Sequence, residues 1–375
     1  MHDTTIAIVG GGASGLHAAW LLAQQGFTDW ILIERRETLG GRILSVAASA
    51  DAACEAANRA CPSDRFDLGP SWFWPGYQPQ LDVLVQELGL ERFEQHELGD
   101  MVVERSAAEA PVRVRGYVSS PASMRLMGGM GSLIEALHRR LDSRRIVTGQ
   151  AVRRLRHAGA RLELDSENPA GRSTTWRAEH VLLAMPPRLV IGSIEFTPSL
   201  PPKLSQQWEA TATWMATHSK YFAVYDAPFW REQGLSGEAR SALGPLGEIH
   251  DACVPGGSAA LFGFLAVPAH LRQSVPEEVL RSHCRAQLAR LFGPEAATPK
   301  AEFLKDWALD PCTATAADQA SPGHHPDAPS ASVPSGPWSG RLTGIGSEWS
   351  RQFPGYVAGA IEAAGLGVQS LSVTT

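Results

Sequence analysis

The chain has 375 residues, of which 44% are hydrophobic and 19% charged, as in an ordinary globular protein long enough for two domains. A formal net charge of −6 and a pI near 6.1 argue against nucleic acid and against a strongly anionic membrane surface as partners. The sequence shows neither an apolar run long enough to span a bilayer nor a secretory signal, so we expect a cytoplasmic protein without a membrane anchor.

The cysteines and histidines give no sign of a disulfide framework or a metal site. The five cysteines are an odd number without Cys-x-x-Cys spacing, which favours a reducing compartment. A pairing of Cys54 with Cys61, in an alanine-rich surface loop over residues 46–64, is the one disulfide left open. The histidines, including the adjacent His324 and His325, lack ligand spacing, so we predict no metal.

The first motif is a glycine-rich turn after a buried strand. Ile6 to Val9 form an apolar run that breaks at Gly10, Gly12 and Gly15, where a helix begins. The first glycine permits a tight turn, the second leaves room for a pyrophosphate, and the third lets the helix pack closely on the strand. The helix N-terminus offers free N–H groups and the positive end of a dipole to the phosphates.

A second strand supplies the acidic residue of a dinucleotide site. Trp30 to Glu34 is apolar except for its last residue, a carboxylate that suits a ribose diol. Arg35 and Arg36 keep NADP open as the dinucleotide, because a guanidinium also binds its additional phosphate. Two glycines and Arg42 follow at once, and this combination favours a phosphate held close to the backbone and neutralised by the guanidinium.

This order of motifs, a glycine-rich turn, a ribose acid and Gly40-Gly41-Arg42, resembles the N-terminal signature of the FAD-dependent (flavin-containing) amine oxidase family, monoamine-oxidase-like. The resemblance implies FAD as the dinucleotide. It also implies an α/β fold: a Rossmann-like FAD-binding domain with a second α+β substrate domain built on an antiparallel sheet. We expect the FAD-binding domain over residues 1–75, 125–192 and 338–375, and the substrate-binding domain over residues 76–124 and 193–337.

The segment from Phe66 to Pro75 resembles the part of the family that runs along the flavin ring. Asp67, Gly69 and Trp72 match an Asp-x-Gly-Gly-x-aromatic pattern, with Pro70 in place of the second glycine. Three successive aromatic residues are also typical of an ordinary core. We predict a flavin-facing wall because the upstream motifs match.

The middle of the chain predicts ordinary secondary structure. Helices are expected over residues 81–88 and 133–141, and another from Pro276 to Gly293. Residues 313–340 predict a long loop within the substrate-binding domain. Strands are expected at Ile146–Val147, Val152–Leu155 and Leu162–Leu164, forming a small antiparallel meander, and at Val181–Ala184, as a buried parallel strand.

A lysine within an apolar strand is the first candidate for catalysis. Apolar residues flank Lys220, which predicts a strand that points the ammonium inward; a surface lysine on an edge strand is the alternative. The family has a lysine at this point, before a Phe-Trp pair matched by Phe229-Trp230, and it holds a water against the reactive flavin nitrogen. Burial lowers the pKa of such a lysine. Trp307 resembles a family tryptophan that packs near the flavin.

The end of the chain resembles the closing signature of the family. A strand ends in Gly346-Ser347-Glu348, and a helix is predicted from Pro354 with its N–H groups toward the reduced flavin. The resemblance implies that Glu348 binds the polyol or pyrophosphate region of FAD. Gly359 and Ala360 are small, which lets a ring lie close to this helix.

One aromatic residue, Tyr356, is predicted beside a bound amine. The second aromatic residue of the family cage, and the flavin-linking cysteine of some relatives, have no counterpart over residues 314–318, and Cys312 comes too early. We therefore predict non-covalent FAD. Only about sixty residues separate Asp67 from Gly128, so the covering segment is short and the substrate cavity is expected to be shorter or more open.

The resemblance implies an FAD-dependent oxidoreductase that oxidises a small-molecule amine to an imine and is reoxidised by O2 with release of H2O2. A flavoprotein dehydrogenase or desaturase with another electron acceptor, and a catalytically decayed FAD-binding protein, stay as alternatives. Lys220 and Tyr356 are the implied catalytic residues. The implied cofactor-binding residues are Gly10, Gly12, Ala13, Ser14, Gly15, Glu34, Arg35, Gly41, Arg42, Gly69, Pro70, Ser71, Trp72, Val152, Trp307, Gly346, Ser347, Glu348, Gly355, Tyr356, Val357 and Ala360.

Overall fold

The structure, a computed structural model, describes residues 2–47, 64–320 and 327–372. Cys54, Cys61, His324 and His325 lie outside the described residues, so the predictions for these positions, and for most of the loop over residues 46–64, stay predictions.

The described residues form nineteen strands and ten α-helices. The strands are β1 (His2–Val9), β2 (Trp30–Ile33), β3 (Ser45–Ala47), β4 (Arg65–Asp67), β5 (Arg92–Glu94), β6 (Asp100–Glu104), β7 (Val112–Arg115), β8 (Met124–Leu126), β9 (Ile146–Val147), β10 (Ala151–Ala158), β11 (Arg161–Glu167), β12 (Ser173–Leu183), β13 (Glu195–Thr197), β14 (Ser219–Tyr225), β15 (Leu235–Ser241), β16 (Leu246–Asp251), β17 (Ala259–Leu265), β18 (Ala301–Asp306) and β19 (Leu342–Gly344). The helices are α1 (Ala13–Gln24), α2 (Pro79–Glu87), α3 (Gly131–His138), α4 (Pro187–Ser193), α5 (Pro202–Ala210), α6 (Phe229–Glu232), α7 (Ala269–Arg272), α8 (Glu277–Phe292), α9 (Ala316–Ala320) and α10 (Val357–Ser372).

The chain divides into two compact units. Unit 1 comprises Met1–Ile43, Leu133–Ala216 and Pro311–Thr375, and unit 2 comprises Leu44–Ser132 and Thr217–Asp310. These boundaries differ from the predicted domains. The described part of residues 44–75 packs in unit 2, whereas residues 193–216 and the described part of 311–337 pack in unit 1.

Unit 1 is built on a mixed sheet in the order β13-β10-β11-β12-β1-β2-β9, and β19 also pairs with β12. Strands β12, β1, β2 and β9 run parallel, so the carboxyl ends of β1 and β2 lie at the same edge. The antiparallel meander consists of β10, β11 and β12. The prediction that Ile146–Val147 belongs to this meander is wrong, because the two residues pair parallel to Leu32 and Ile33.

Unit 2 is built on a largely antiparallel sheet in the order β18-β14-β17-β16-β15-β6-β7. Strand β14, the second in this order, is buried at all seven positions, because side chains on both faces are covered. On one face Tyr221 and Ala223 pack with α8 residues such as Leu288, and on the other Phe222 packs with Phe262. Lys220 alternates onto the second face, so the prediction of an inward-pointing lysine is confirmed.

The C-terminal helix α10 begins later than the sequence predicts. The helix predicted from Pro354 begins at Val357, since Gly355 has φ +82° and the Tyr356 N–H donates to the Phe353 carbonyl in a turn. Gly359 is small for a local reason, because a Cβ there would overlap the Phe353 carbonyl oxygen. Within residues 313–340, the segment predicted as a loop, the structure contains α9.

Candidate active site

The glycine-rich turn joins β1 to α1 with a separate steric reason at each glycine. Gly10 has φ +114°, and a Cβ there would lie 2.5 Å from the Ala184 carbonyl oxygen. A Cβ at Gly15 would overlap the Gly10 carbonyl oxygen. At Gly12, however, a Cβ would meet nothing closer than the Gly40 oxygen, 3.7 Å away. Protein packing therefore requires the first and third glycines, whereas the second leaves open space at the α1 N-terminus.

Glu34 lies directly after β2, and its carboxylate faces this turn. It is buried, and Oε2 accepts a hydrogen bond of 2.6 Å from the Gly11 N–H while Oε1 accepts one of 2.7 Å from the Arg36 N–H. Each carboxylate oxygen retains a second acceptor position. Two backbone contacts thus fix the carboxylate in one orientation beside the turn, while Arg35 is exposed.

Arg42 pairs with the C-terminal signature. Its guanidinium forms two parallel contacts with the Glu348 carboxylate, 2.5 Å to Oε1 and 3.0 Å to Oε2, and donates to Ser347 Oγ at 2.9 Å. Glu348 is completely buried, so this bidentate pair supplies the charge that the carboxylate needs. Ser14 Oγ donates to the Ile345 carbonyl at 2.5 Å and ties the first turn of α1 to the same segment.

Two aromatic residues lie at or beside the turn that precedes α10. Tyr356 is half-buried, and Trp214 lies against the preceding Gly355, where a Cβ would overlap the Trp214 side chain. Met215, next to the tryptophan, has φ +57°, a left-handed conformation that is uncommon for a residue with a side chain. Sequence reasoning missed Trp214, and the surrounding tryptophan-rich segment offered no signal that it reaches residue 355.

In unit 2, Lys220 is enclosed by the segment that follows β4. Its Nζ donates to the Asp67 carbonyl at 3.0 Å, to the Gly69 carbonyl at 2.8 Å and to Ser71 Oγ at 2.8 Å. Phe262 and Phe264 add their ring faces, with centroids 4.4 Å and 5.3 Å from Nζ. The ammonium therefore has one acceptor for each of its three N–H groups.

Charged side chains near Lys220 are also buried. Burial lowers the pKa of Lys220 from its ordinary value of 10.5 to about 7, an effect that the nearby Asp67 carboxylate opposes and the Arg125 guanidinium reinforces. Burial raises the pKa of Asp67, whose Oδ1 accepts from Ser45 Oγ and the Met130 N–H. Asp67 Oδ2 has no hydrogen-bond partner among the described residues.

The predicted flavin wall consists of partly buried aromatic residues held by polar contacts. Trp72 Nε1 donates to Gln95 Oε1 at 2.8 Å, and its ring contacts Phe262 and His250, with centroids 5.4 Å and 4.9 Å away. Trp307 is buried, and its Nε1 donates to the Leu68 carbonyl at 2.9 Å.

Comparison with known proteins identifies the family to which this chain belongs. The profile of the family described as flavin containing amine oxidoreductase matches residues 114–370, and a profile described as NAD(P)-binding Rossmann-like domain matches residues 8–88. The chain belongs to the flavin-containing amine oxidoreductase family.

Two relatives of this chain are each less than 30% identical to it over the aligned residues. It is 28% identical over 249 residues to a "Probable flavin-containing monoamine oxidase A" of Dictyostelium discoideum, covering 64% of this chain and 51% of the relative. It is 29% identical over 197 residues to a putrescine oxidase of Kocuria rosea, covering 50% of this chain and 41% of the relative. The chain spans about half the length of the curated relatives it matches.

Solved structures show the fold of this flavin-containing family. A putrescine oxidase, wild type bound to putrescine, superimposes with a TM-score of 0.78 at 20% identity, over 99% of each chain. A cyclohexylamine oxidase from Brevibacterium oxydans IH-35A gives 0.78 at 18%, also over 99% of each. These likenesses confirm the predicted α/β fold with a Rossmann-like domain. None of the described helices combines the length and the apolarity that crossing a membrane requires.

The predicted site residues of this family member fall into two groups. Unit 1 brings together the glycine-rich turn with Glu34, and Arg42 with Ser347 and Glu348. Val152 lies in the same apolar core as the ends of β1 and β2. Unit 2 brings together Gly69, Ser71 and Lys220, next to Pro70, Trp72 and Trp307. No group of three or more His, Cys, Asp or Glu residues suited to a metal occurs in the described part of the chain.

Proposed function

We propose that this protein is an FAD-dependent amine oxidase that converts an amine to an imine by hydride transfer to the flavin and uses O2 to form H2O2. The observation that carries the proposal is the match to the amine oxidoreductase family over residues 114–370. FAD, when bound, supplies the two-electron acceptor for the amine and the donor for O2. The residues of the chain supply binding, orientation and control of protons.

The residues of unit 1 fit the nucleotide part of FAD. The open space at Gly12 accommodates a pyrophosphate at the α1 N-terminus, whose N–H groups and dipole favour negative charge. The Glu34 carboxylate is held by two backbone N–H groups with acceptor positions left for a ribose diol. Arg42 is already paired with Glu348, so in this proposal the pair binds the cofactor as a unit through its remaining N–H and carboxylate positions.

Non-covalent FAD is consistent with the chemistry of the cysteines. Cys253 and Cys284 are buried in unit 2, and burial raises the pKa of each thiol to about 12. A neutral, buried thiol is a poor nucleophile. We propose that neither forms a bond to the flavin.

We propose Lys220 as the residue that controls a proton at the flavin and Tyr356 as the residue beside the amine. A pKa of about 7 allows Lys220 to exchange a proton near neutral pH. A water held by the ammonium replaces one of its three protein acceptors, because each N–H is engaged. Trp214 joins Tyr356 in this proposal as a second aromatic side for the substrate.

The substrate class is proposed as a small amine. The relatives include a putrescine oxidase, and one structural neighbour is a putrescine oxidase bound to putrescine, so diamines belong in the first test. The test incubates purified, FAD-saturated protein aerobically with monoamines, diamines and secondary amines and measures H2O2. Lys220→Met should lose most of the signal, and Lys300→Met, at an exposed lysine that pairs with Asp226, serves as its control.

A dehydrogenase is the second candidate, because an L-amino acid dehydrogenase of Synechocystis is 25% identical over 256 residues. A dehydrogenase would bleach its flavin anaerobically with substrate yet release little H2O2 in air and require an added electron acceptor. Protein that binds FAD but is bleached by neither amines nor amino acids would contradict both functions and favour catalytic decay.

A further inference from the structure

The acceptors around Lys220 come from one short stretch, residues 67–71, which bends at Leu68 and Gly69. The carbonyls of Asp67 and Gly69 point at the ammonium, whereas the intervening Leu68 carbonyl accepts from Trp307 Nε1. The bend thus brings two non-adjacent carbonyls, those of residues 67 and 69, to the same ammonium. The Ser71 hydroxyl follows two residues later as the third acceptor.

Pro70 stiffens this stretch. Its ring fixes its own φ, and it disfavours helical conformations at the preceding Gly69. The pattern of the family has a more flexible glycine where this chain has Pro70. The proline therefore reduces the number of conformations open to the segment that presents the Gly69 carbonyl to Lys220.

The three acceptors differ in what they are able to do when Lys220 loses a proton. An ammonium has three N–H donors and no acceptor, whereas the neutral amine has two N–H donors and one lone pair. The two carbonyls only accept. A hydroxyl both accepts and donates, and its hydrogen rotates to suit its partner.

We infer that Ser71 is a positioning residue that pairs with Lys220 in both protonation states, accepting a hydrogen bond from the ammonium and donating one to the neutral amine. Lys220 then changes charge without leaving a buried polar atom unpaired, a condition that otherwise costs free energy. Ser71 is itself buried, 4% exposed, so bulk water does not readily take its place.

The charges that face Lys220 come from several elements. The Asp67 carboxylate favours its ammonium form, and Arg125 on β8 opposes it. Lys305 lies opposite Lys220 on β18 and contacts Asp310. Strand β16, which is separated from β14 by β17, carries Glu248 paired with His250. Burial outweighs these charges and lowers the pKa of Lys220 to about 7, so both the ammonium and the neutral amine are present near that pH. The role of the Ser71–Lys220 pair in catalysis rests on the proposed oxidase function, but the pairing itself does not.

Proton linkage measures the pairing without turnover. In the unfolded chain Lys220 keeps its ordinary pKa, so the folded protein binds fewer protons than the unfolded one between about pH 7 and 10.5. Below pH 7 the burial of the Lys220 ammonium lowers the free energy of unfolding by its full amount. This destabilisation disappears as pH rises to 10.5, so the free energy of unfolding rises across that window. We expect the unfolding free energy of FAD-saturated wild type, minus that of Lys220→Met, to begin rising near pH 7.

Ser71→Ala is compared in the same way with the double variant Ser71→Ala/Lys220→Met. Hydrogen bonds to charged groups are about twice as strong as neutral ones, so loss of the hydroxyl should lower the Lys220 pKa by about one unit. The rise should then begin near pH 6, about one unit below wild type. Ser71→Thr retains a hydroxyl and should restore the onset near pH 7, and Ser71→Gly should shift it as Ser71→Ala does.

An unchanged onset in both Ser71→Ala and Ser71→Gly would overturn the inference, as would a Ser71→Thr protein that shifts as far as Ser71→Ala. The measurement uses neither amine nor O2. A protein that shows the shift but oxidises no amine supports the pairing and refutes the proposed function, whereas an active oxidase without the shift does the reverse.

Discussion

Gly12→Ala should separate cofactor binding from folding. Gly12 has φ −80° and ψ −173°, which any residue adopts, and a Cβ there would come no closer than 3.7 Å to a protein atom. We therefore expect the free energy of unfolding without FAD to change by no more than about 0.5 kcal/mol. The methyl group occupies the space proposed for the pyrophosphate, and overpacking of about 1–3 kcal/mol weakens FAD binding by about tenfold to hundredfold.

Gly15→Ala is the matched control. A Cβ at Gly15 would overlap the Gly10 carbonyl oxygen and lie 3.2 Å from the Ala184 Cβ, so the α1 backbone must move whether or not FAD is present. The cost should be about 1–3 kcal/mol or more in the FAD-free protein. Denaturant unfolding of FAD-free protein and flavin fluorescence titration measure the two effects separately. Wild-type FAD affinity in Gly12→Ala would refute the reasoning, as would equal destabilisation of both variants.

Three further results are expected. Lys220→Met should keep FAD bound but slow flavin reduction or reoxidation by about a hundredfold in stopped-flow traces, as on loss of one positioned proton-transfer group; wild-type rates in both half-reactions would exclude that role. Acid precipitation should release all flavin as free FAD, and flavin retained in the pellet would show a covalent bond. Asp318→Ala removes the carboxylate that neutralises the buried Arg188 and an acceptor of the Thr213 N–H, so denaturant unfolding should show a loss of about 3–5 kcal/mol with an unchanged flavin spectrum.

The glycine-rich turn was predictable because its requirements are local. A strand, a turn and a helix within about twenty residues leave few arrangements, and the close contact of Gly15 with Gly10 follows from that connection. Lys220 was predictable for a similar reason. Strand alternation fixes which face each residue of β14 occupies, so apolar neighbours on both faces already imply burial.

Partners distant in sequence were not predictable in the same way. The sequence indicated a phosphate partner for Arg42, and the structure places Glu348 beside it, although 306 residues separate the two. The substrate-binding domain was predicted to resume at residue 193, yet Trp208 packs against Trp349 and donates to the Ser330 carbonyl within unit 1. Tryptophans fill cores of any architecture, so composition alone does not assign them to a sheet.

Burial, modified by the nearby charges, explains why the pKa of Lys220 lies near neutral pH. Arg125 and Lys220 are both buried cations, and Asp67 is the carboxylate that interacts electrostatically with both. A guanidinium does not lose its proton under these conditions, so Arg125 remains charged and is stabilised by the Cys253 and Ala252 carbonyls. Among Arg125, Asp67 and Lys220, neutral Lys220 leaves one cation and one carboxylate, whereas protonated Lys220 leaves a second cation; Asp251 is a further buried carboxylate that interacts with Arg125. Arg125 therefore offsets part of the rise in the Lys220 pKa that Asp67 causes, and no pattern around residue 220 reveals that a strand almost a hundred residues earlier supplies this charge.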